Sequence, residues 1–139
     1  QPFWNLARIE AGSIADPTIP ALDTDLWELH KASGLACMPF SSQANGFFHK
    51  LENGLAEKLS ANQKKMYLTP ENRARTERLQ VLKQQSGLNT TQLVLGYLLG
   101  QPFPTFPIVG PHSMAHLLDT LSAADIALSA QQIAFLEGK

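Results

Sequence analysis

The sequence predicts an α/β fold in which parallel strands are joined by crossover helices. Two short apolar runs, Leu35–Phe40 (LACMPF) and Phe106–Val109 (FPIV), are bounded by Gly, Ser and Pro and have the length of buried strands. Helical signals lie before, between and after them, and strand alternating with helix is the pattern of crossover units. The second run ends at Gly110 and passes into a helix start. There, close backbone approach and free N–H groups can receive an anion.

The elements follow in order. Gln1-Pro2-Phe3 reads as the end of a strand. Asp25–Ser33 (DLWELHKAS) is a helix with Leu26, Trp27 and Leu29 near helical spacing and Gly34 as its stop. Leu35–Phe40 is a strand, with Pro39 at the end where no ladder donor is needed. Ser41–Gly54 reads as a polar loop, and Ala56–Lys65 as a short helix. Thr69-Pro70-Glu71 is a helix start, with Thr as cap, Pro in the first position and an acid in the first turn. That helix runs to about Ser86 and stops at Gly87. Asn89 with Gln92 caps the next one, through Leu99. Gly100 and the prolines at 102, 104 and 107 lead into Phe106–Val109. Ser113–Ser122 is a helix, and Ser129 with Gln132 caps the last. Two or three parallel strands neither cover a sheet nor close a barrel. The chain is therefore expected to be part of a larger fold, and its opening on Gln1 fits a processed product or a piece of a longer protein.

At 139 residues, 44% hydrophobic and 17% charged, the composition is that of an ordinary globular domain. A net charge of -1 offers no electrostatic reason to bind nucleic acid or an anionic membrane. No apolar run reaches bilayer length and no signal-peptide pattern opens the chain. Cys37 is the single cysteine, which excludes an internal disulfide and points to a reducing, cytoplasmic setting. Its apolar neighbours mark it as a small buried hydrophobe. Trp4 and Trp27 read as packing anchors, with Trp4 the better candidate for a pocket wall. Arg73, Arg75 and Arg78, beside Glu71 and Glu77, read as a solvated helix face.

QPFWNLAR (Gln1–Arg8), GLACMPFSSQANGFF (Gly34–Phe48) and PIVGPHSMAHLLDTL (Pro107–Leu121) occur in that order. They resemble three motifs of the aldo-keto reductases: the end of the sixth barrel strand, the seventh strand with its loop, and the eighth strand with its phosphate turn. LNTTQLVLGYLLGQP and ALSAQQIAFLEG extend the resemblance to the helix before the eighth strand and the closing helix. The resemblance implies the C-terminal part of a (β/α)8 TIM barrel, with residues 1–139 as one portion and the N-terminal portion absent. Such barrels take about 250 residues. The family's catalytic Asp, Tyr, Lys and His belong to that N-terminal part, so no residue here is assigned a catalytic role. Tyr67, in a polar loop before a helix, and Tyr97, in an apolar helix, do not sit at strand ends.

Ligands of such barrels meet the C-terminal ends of the strands. The resemblance implies a site for NADP, with NAD possible. Gln1 would pair with the nicotinamide carboxamide, and Phe40 would lie against the nicotinamide ring. Ser41, Gln43 and Gly46 would line the pyrophosphate. Gly110, His112, His116 and Asp119 would surround the 2′-phosphate and adenine. Other readings stand beside these: Gln1 as a frayed terminus, Phe40 as a core aromatic, 41–46 as a solvent loop, and the two histidines as a helix face. A His-x-x-x-His pair also suits a metal, but no third ligand is evident. Pro111 stands where the family often has Ser, and Asp119-Thr120 where it has Glu-Asn. No Lys or Arg falls within Pro107–Leu121. That weakens the case for strong NADP preference, because His is a poorer phosphate partner than Arg.

The function so implied is the cofactor-binding part of an NAD(P)H-dependent reductase that turns small carbonyls into alcohols. The alternatives are a non-catalytic binding or assembly module of the same family, and a standalone α/β interaction domain. The partners implied are the nicotinamide cofactor, a carbonyl substrate, and either the N-terminal portion or a second copy to cover open strand edges.

Overall fold

The computed structural model describes residues 1–10 and 12–139. Its α-helices among them are α1 (Thr24–Ser33), α2 (Phe47–Glu52), α3 (Ala61–Tyr67), α4 (Pro70–Ser86), α5 (Thr90–Leu99), α6 (Met114–Leu121) and α7 (Ala130–Glu137). The helix starts legible in the sequence all form. Asp23 caps α1, Thr69 caps α4 with Pro70 in its first turn, and Ser113 caps α6. Asn89 with Gln92 and Ser129 with Gln132 make reciprocal capping boxes on α5 and α7. Each cap satisfies N–H groups that the first helical turn leaves free.

The loop expected at Ser41–Gly54 is partly helical. A 3-10 turn, Ala44–Gly46, leads into α2 because Phe47, Phe48 and Leu51 recur at helical spacing and turn inward, the two phenylalanines fully buried. The helix expected at Ala56–Lys65 divides into a 3-10 turn, Ala56–Lys58, and α3, whose capping box joins Ser60 and Gln63. Tyr67 is therefore the last residue of α3, fully buried, and not part of a polar loop.

The two expected strands do not form as ladders. Among the described residues the pairing is limited to isolated parallel bridges: Phe3 with Ala21, Phe3 with Phe40, and Cys37 with Thr105. The parallel sense is the expected one. Proline limits the length. Cys37 N–H donates to Pro104 O at 2.8 Å, Phe106 N–H to Cys37 O at 2.8 Å, and Ile108 N–H to Pro39 O at 2.9 Å. The rung between these last two would need an N–H at Pro39, which has none. Pro2 and Pro20 shorten the other two pairings in the same way. The Ala21 pairing lies on the edge of Phe3 opposite Phe40 and had no strand signal.

Side chains alternate across this minimal sheet. Cys37, Pro39, Phe103 and Thr105 are buried, whereas Met38, Phe106 and Ile108 are 42%, 59% and 41% exposed. Cys37 and Phe103 join the core with Trp4, Leu6, Leu79, Leu93, Leu98 and Leu136. Helices thus cover one face, α4 packing on α2, α5 and α7, and α5 on α6. Cys37 is the buried hydrophobe expected, and burial raises its thiol pKa. Trp4 is a core residue, 6.0 Å between ring centroids from Tyr97 and 6.2 Å from Phe103. Trp27 packs on Phe103 and donates its indole N–H to Gln101 at 3.0 Å.

Of the three arginines expected on a solvated face, Arg73 is exposed, whereas Arg75 and Arg78 depart from it. Arg75 is buried and donates through Nη1 to Leu6 O at 2.6 Å, with Nη2 at 3.2 Å from Glu71. Arg78 donates through Nε to Leu136 O at 3.1 Å, joining α4 to α7. Both guanidinium groups satisfy backbone carbonyls that the N-terminal segment and the end of α7 would otherwise leave unpaired.

Burial pushes the Tyr67 hydroxyl up to about 12, against the opposing effect of the Asn5 amide that donates to it. Folding therefore favours the neutral phenol. Its contribution is complete below the ordinary tyrosine range and is lost as pH rises toward 12. A shift of that size corresponds to roughly 2–3 kcal/mol. Denaturant midpoints measured from neutral pH into this alkaline window should fall, and Tyr67→Phe should remove part of the fall. Superimposable pH profiles for the two proteins would refute the assignment.

Candidate functional site

The parallel bridges bring the C-terminal ends of three segments side by side. Phe40 N–H donates to Pro2 O at 3.1 Å, and Trp4 N–H to Phe40 O at 3.3 Å. Residues 4–5, 41–46 and 108–113 therefore emerge at one end of the sheet, and side chains tie them together. Asn5 Nδ2 donates to Ser41 O at 3.1 Å. Ser42 Oγ donates to Ile108 O at 2.6 Å. Gln43 Nε2 donates to Thr120 Oγ1 at 3.2 Å, and its Oε1 lies 3.4 Å from His116 Nε2. His112 N–H donates to His116 Nδ1 at 3.4 Å. An accepting Nδ1 leaves the ring proton on Nε2, where it points at the Gln43 carbonyl oxygen.

The loop 41–46 is held in an unusual backbone. Ser41, Ala44 and Asn45 have φ of 54°, 49° and 51°, and Gly46 has φ of 74°. Left-handed conformation costs a non-glycine residue on the order of 1 kcal/mol or more. The surrounding bonds hold it: Ser41 O accepts from Asn5 and from Ala44 N–H, and Gln63 Nε2 donates to Asn45 O at 2.9 Å.

The expected site residues separate into groups. Phe40, Ser41, Gln43, His112 and His116 form one connected set. Phe40 is partly buried and meets Phe3 edge-on at 5.1 Å between centroids. His112 and Gly110 are exposed, and a Cβ on Gly110 would meet nothing within 4 Å. Packing does not demand glycine there, and the backbone is open to a ligand. Gln1 is exposed at the start of the chain. Gly46 lines a cavity of about 30 Å³ with Gln43, Phe48, His49, Thr90, Thr91 and Val94, room for little more than a water. Asp119 turns toward α5, accepting from Asn89 Nδ2 at 2.9 Å and Thr91 Oγ1 at 2.5 Å.

Asn5, Ser42 and Thr120 bind the site together and were not singled out from the sequence. Asn5 stood inside a quoted motif at a strand end, which was a usable signal. Ser42 and Thr120 act through partners 66 and 77 residues away, and no local pattern reveals that. Neither tyrosine reaches the site's surface. Tyr97 is buried and donates to Glu137 Oε1 at 2.8 Å, and burial first, then the Glu137 charge, raises its hydroxyl pKa. Burial alone would raise Glu137, but hydrogen bonds from Lys139 and Tyr97 outweigh it and hold that carboxyl below its usual range.

An open cleft of about 480 Å³ lies elsewhere, where α4 ends and α5 begins, lined by Gln80, Lys83, Gln84, Gly87, Leu88 and Asn89. None of the expected site residues lines it. Among the described residues no three His, Cys, Asp or Glu side chains cluster for a metal ion. Among the described residues no helix is long and apolar enough to cross a membrane.

A thermostable aldo-keto reductase, solved in complex with the inhibitor epalrestat, is similar in fold over 98% of this chain, with a TM-score of 0.55 and 18% identity. The chain spans 37% of that protein's length. The model of the Aldo/keto reductase family matches residues 20–139. With most of its length so matched, from ahead of α1 to the last residue, the chain belongs to the aldo/keto reductase family.

Proposed function

We propose that residues 1–139 are the C-terminal part of a (β/α)8 barrel and carry the nicotinamide-cofactor site of a reductase that converts small carbonyls to alcohols in the cytoplasm. The observation that carries this reading is the convergence of 41–46 and 110–119, cross-tied through Ser42–Ile108 and Gln43–His116, at one end of parallel-paired segments. In α/β folds that end of the sheet is where ligands bind.

The residues present fit a dinucleotide. Phe40 offers an aromatic ring to stack on the nicotinamide, and Gln1 an amide for its carboxamide. Ser41, Gln43 and Gly46 line the path of the pyrophosphate. Gly110 leaves the backbone open, and His112 and His116 are the donors nearest the turn into α6. The bound cofactor supplies the hydride. This chain's residues bind and orient it, so that one face of the ring is presented to substrate. The proton for the developing alkoxide comes from elsewhere in the barrel, since Tyr67 and Tyr97 are both buried and hydrogen-bonded. The N-terminal portion of the barrel, or a second copy, covers the apolar face of Met38, Phe106 and Ile108.

The test is titration of the protein with NADP and NAD. His112 and His116 are the side chains nearest the turn that can donate to a 2′-phosphate, so replacing both with Ala should weaken NADP binding. NAD affinity should change less. The double variant His112→Ala, His116→Ala should lose the difference between the two cofactors. An unchanged ratio of NADP to NAD affinity in the double variant would overturn the phosphate assignment, and failure of the unaltered protein to bind either would overturn the site.

A further inference from the structure

On the cofactor-site reading above, we propose that Asp119 is a positioning residue: it clamps α6 to the N-terminus of α5 and thereby sets His112 and His116, without touching the adenine. Both carboxylate oxygens are engaged by α5, one with the amide of its cap Asn89 and one with the hydroxyl of Thr91. A carboxylate at a helix N-terminus also faces the positive end of the helix dipole. Asn89 is committed as well, since its Oδ1 accepts from Gln92 N–H at 2.8 Å. Gln92 Nε2 adds a 3.3 Å bond to Ser122 O just beyond α6.

The opposite connection of α6 is to the loop 41–46. His116 and Thr120, one helical turn apart, meet Gln43. The helix is thus pinned between α5, through Asp119, and the loop, through Gln43. Releasing the α5 clamp would let α6 shift against Gln43 and move both histidines, although neither touches Asp119. A displacement near 1 Å in a positioned site costs up to about a hundredfold, so a roughly tenfold loss is expected.

The test uses NADP and its hypoxanthine analogue, in which a carbonyl replaces the adenine amino group, with the whole protein. Asp119→Ala and Thr91→Val should each weaken NADP binding roughly tenfold. Their combination should be no worse than Asp119→Ala alone, because both break one clamp. Asp119→Asn, which can still accept from Asn89 and bond Thr91, should bind nearly as the unaltered protein does. Every variant should weaken the two cofactors by the same factor. Loss of the preference for adenine over hypoxanthine in Asp119→Ala would overturn the proposal by showing direct contact. So would a neutral Thr91→Val, or additive losses in the pair. If the unaltered protein binds neither cofactor, the site reading itself falls, and this inference with it.

Discussion

Gly100→Ala should destabilise the chain by about 3 kcal/mol or more. Gly100 follows α5 with φ of -83° and ψ of 5°, a conformation open to any residue, so backbone strain is not the issue. The obstacle is steric. A Cβ there would sit 2.2 Å from Leu128 O, 2.9 Å from Leu128 N and 3.0 Å from Leu128 C. All three are main-chain atoms, and no side-chain rotation relieves the overlap. Gly96, one turn earlier, is similarly close, with Ile126 O at 3.0 Å from its would-be Cβ. The pair lets 126–128 lie directly on the end of α5, where Leu128 N–H donates to Gly96 O at 3.1 Å. Pushing that segment away breaks this bond, uncovers the buried Leu128 and loosens α7, whose Leu136 is fully buried. Gly110→Ala is the control: its Cβ meets nothing, and the effect on stability should stay within about 0.5 kcal/mol. Denaturant unfolding of the two variants decides it, and a Gly100→Ala protein as stable as Gly110→Ala would refute the close approach.

The same glycine shows what sequence can convey here. Gly34, Gly87 and Gly100 all read as helix stops. Gly34 and Gly87 have φ of 67° and 73°, the left-handed stop expected. Gly100 is needed instead for space against a segment 28 residues on, which no local pattern contains. Helix caps were legible because a cap is local: a side-chain oxygen reaches an N–H three residues away. The parallel sense of the apolar runs was legible from the helices between them. Their failure to form ladders turned on which N–H groups the prolines removed, and that depends on register. In the site, Gln43 and His116 were expected near one ligand and are in contact. The direction of Asp119, and the burial of Arg75, depended on neighbours that only the folded chain supplies.

The second large effect is expected at Asn72. Its side chain is completely buried in the first turn of α4. Oδ1 accepts from Arg8 N–H at 2.8 Å, and Nδ2 donates to Arg8 O at 2.7 Å and to Tyr67 O at 2.9 Å. One amide thereby pairs both backbone groups of Arg8 and the last carbonyl of α3. Asn72→Ala leaves the two Arg8 groups without partners, at about 1–3 kcal/mol for each that water cannot reach, and takes one of two donors from Tyr67 O, which keeps Thr69 N–H at 2.8 Å. Arg8 itself is exposed, so water relieves part of this, and a net loss of about 3 kcal/mol is expected. Asn72→Asp separates the hydrogen bonds from the volume. It keeps an acceptor for Arg8 N–H but sets a carboxylate against two carbonyl oxygens. At neutral pH it should be at least as destabilising as Asn72→Ala, and acid should restore part of the loss, because a protonated carboxyl donates again. The damage should extend beyond stability, since the same segment carries Asn5, whose amide holds Ser41 and the loop 41–46. Urea unfolding of both variants at neutral and acid pH, together with cofactor titration, tests the chain of contacts. An Asn72→Asp protein that is more stable than Asn72→Ala at neutral pH and gains nothing in acid would show that filling space, and not pairing Arg8 and Tyr67, is what this residue does.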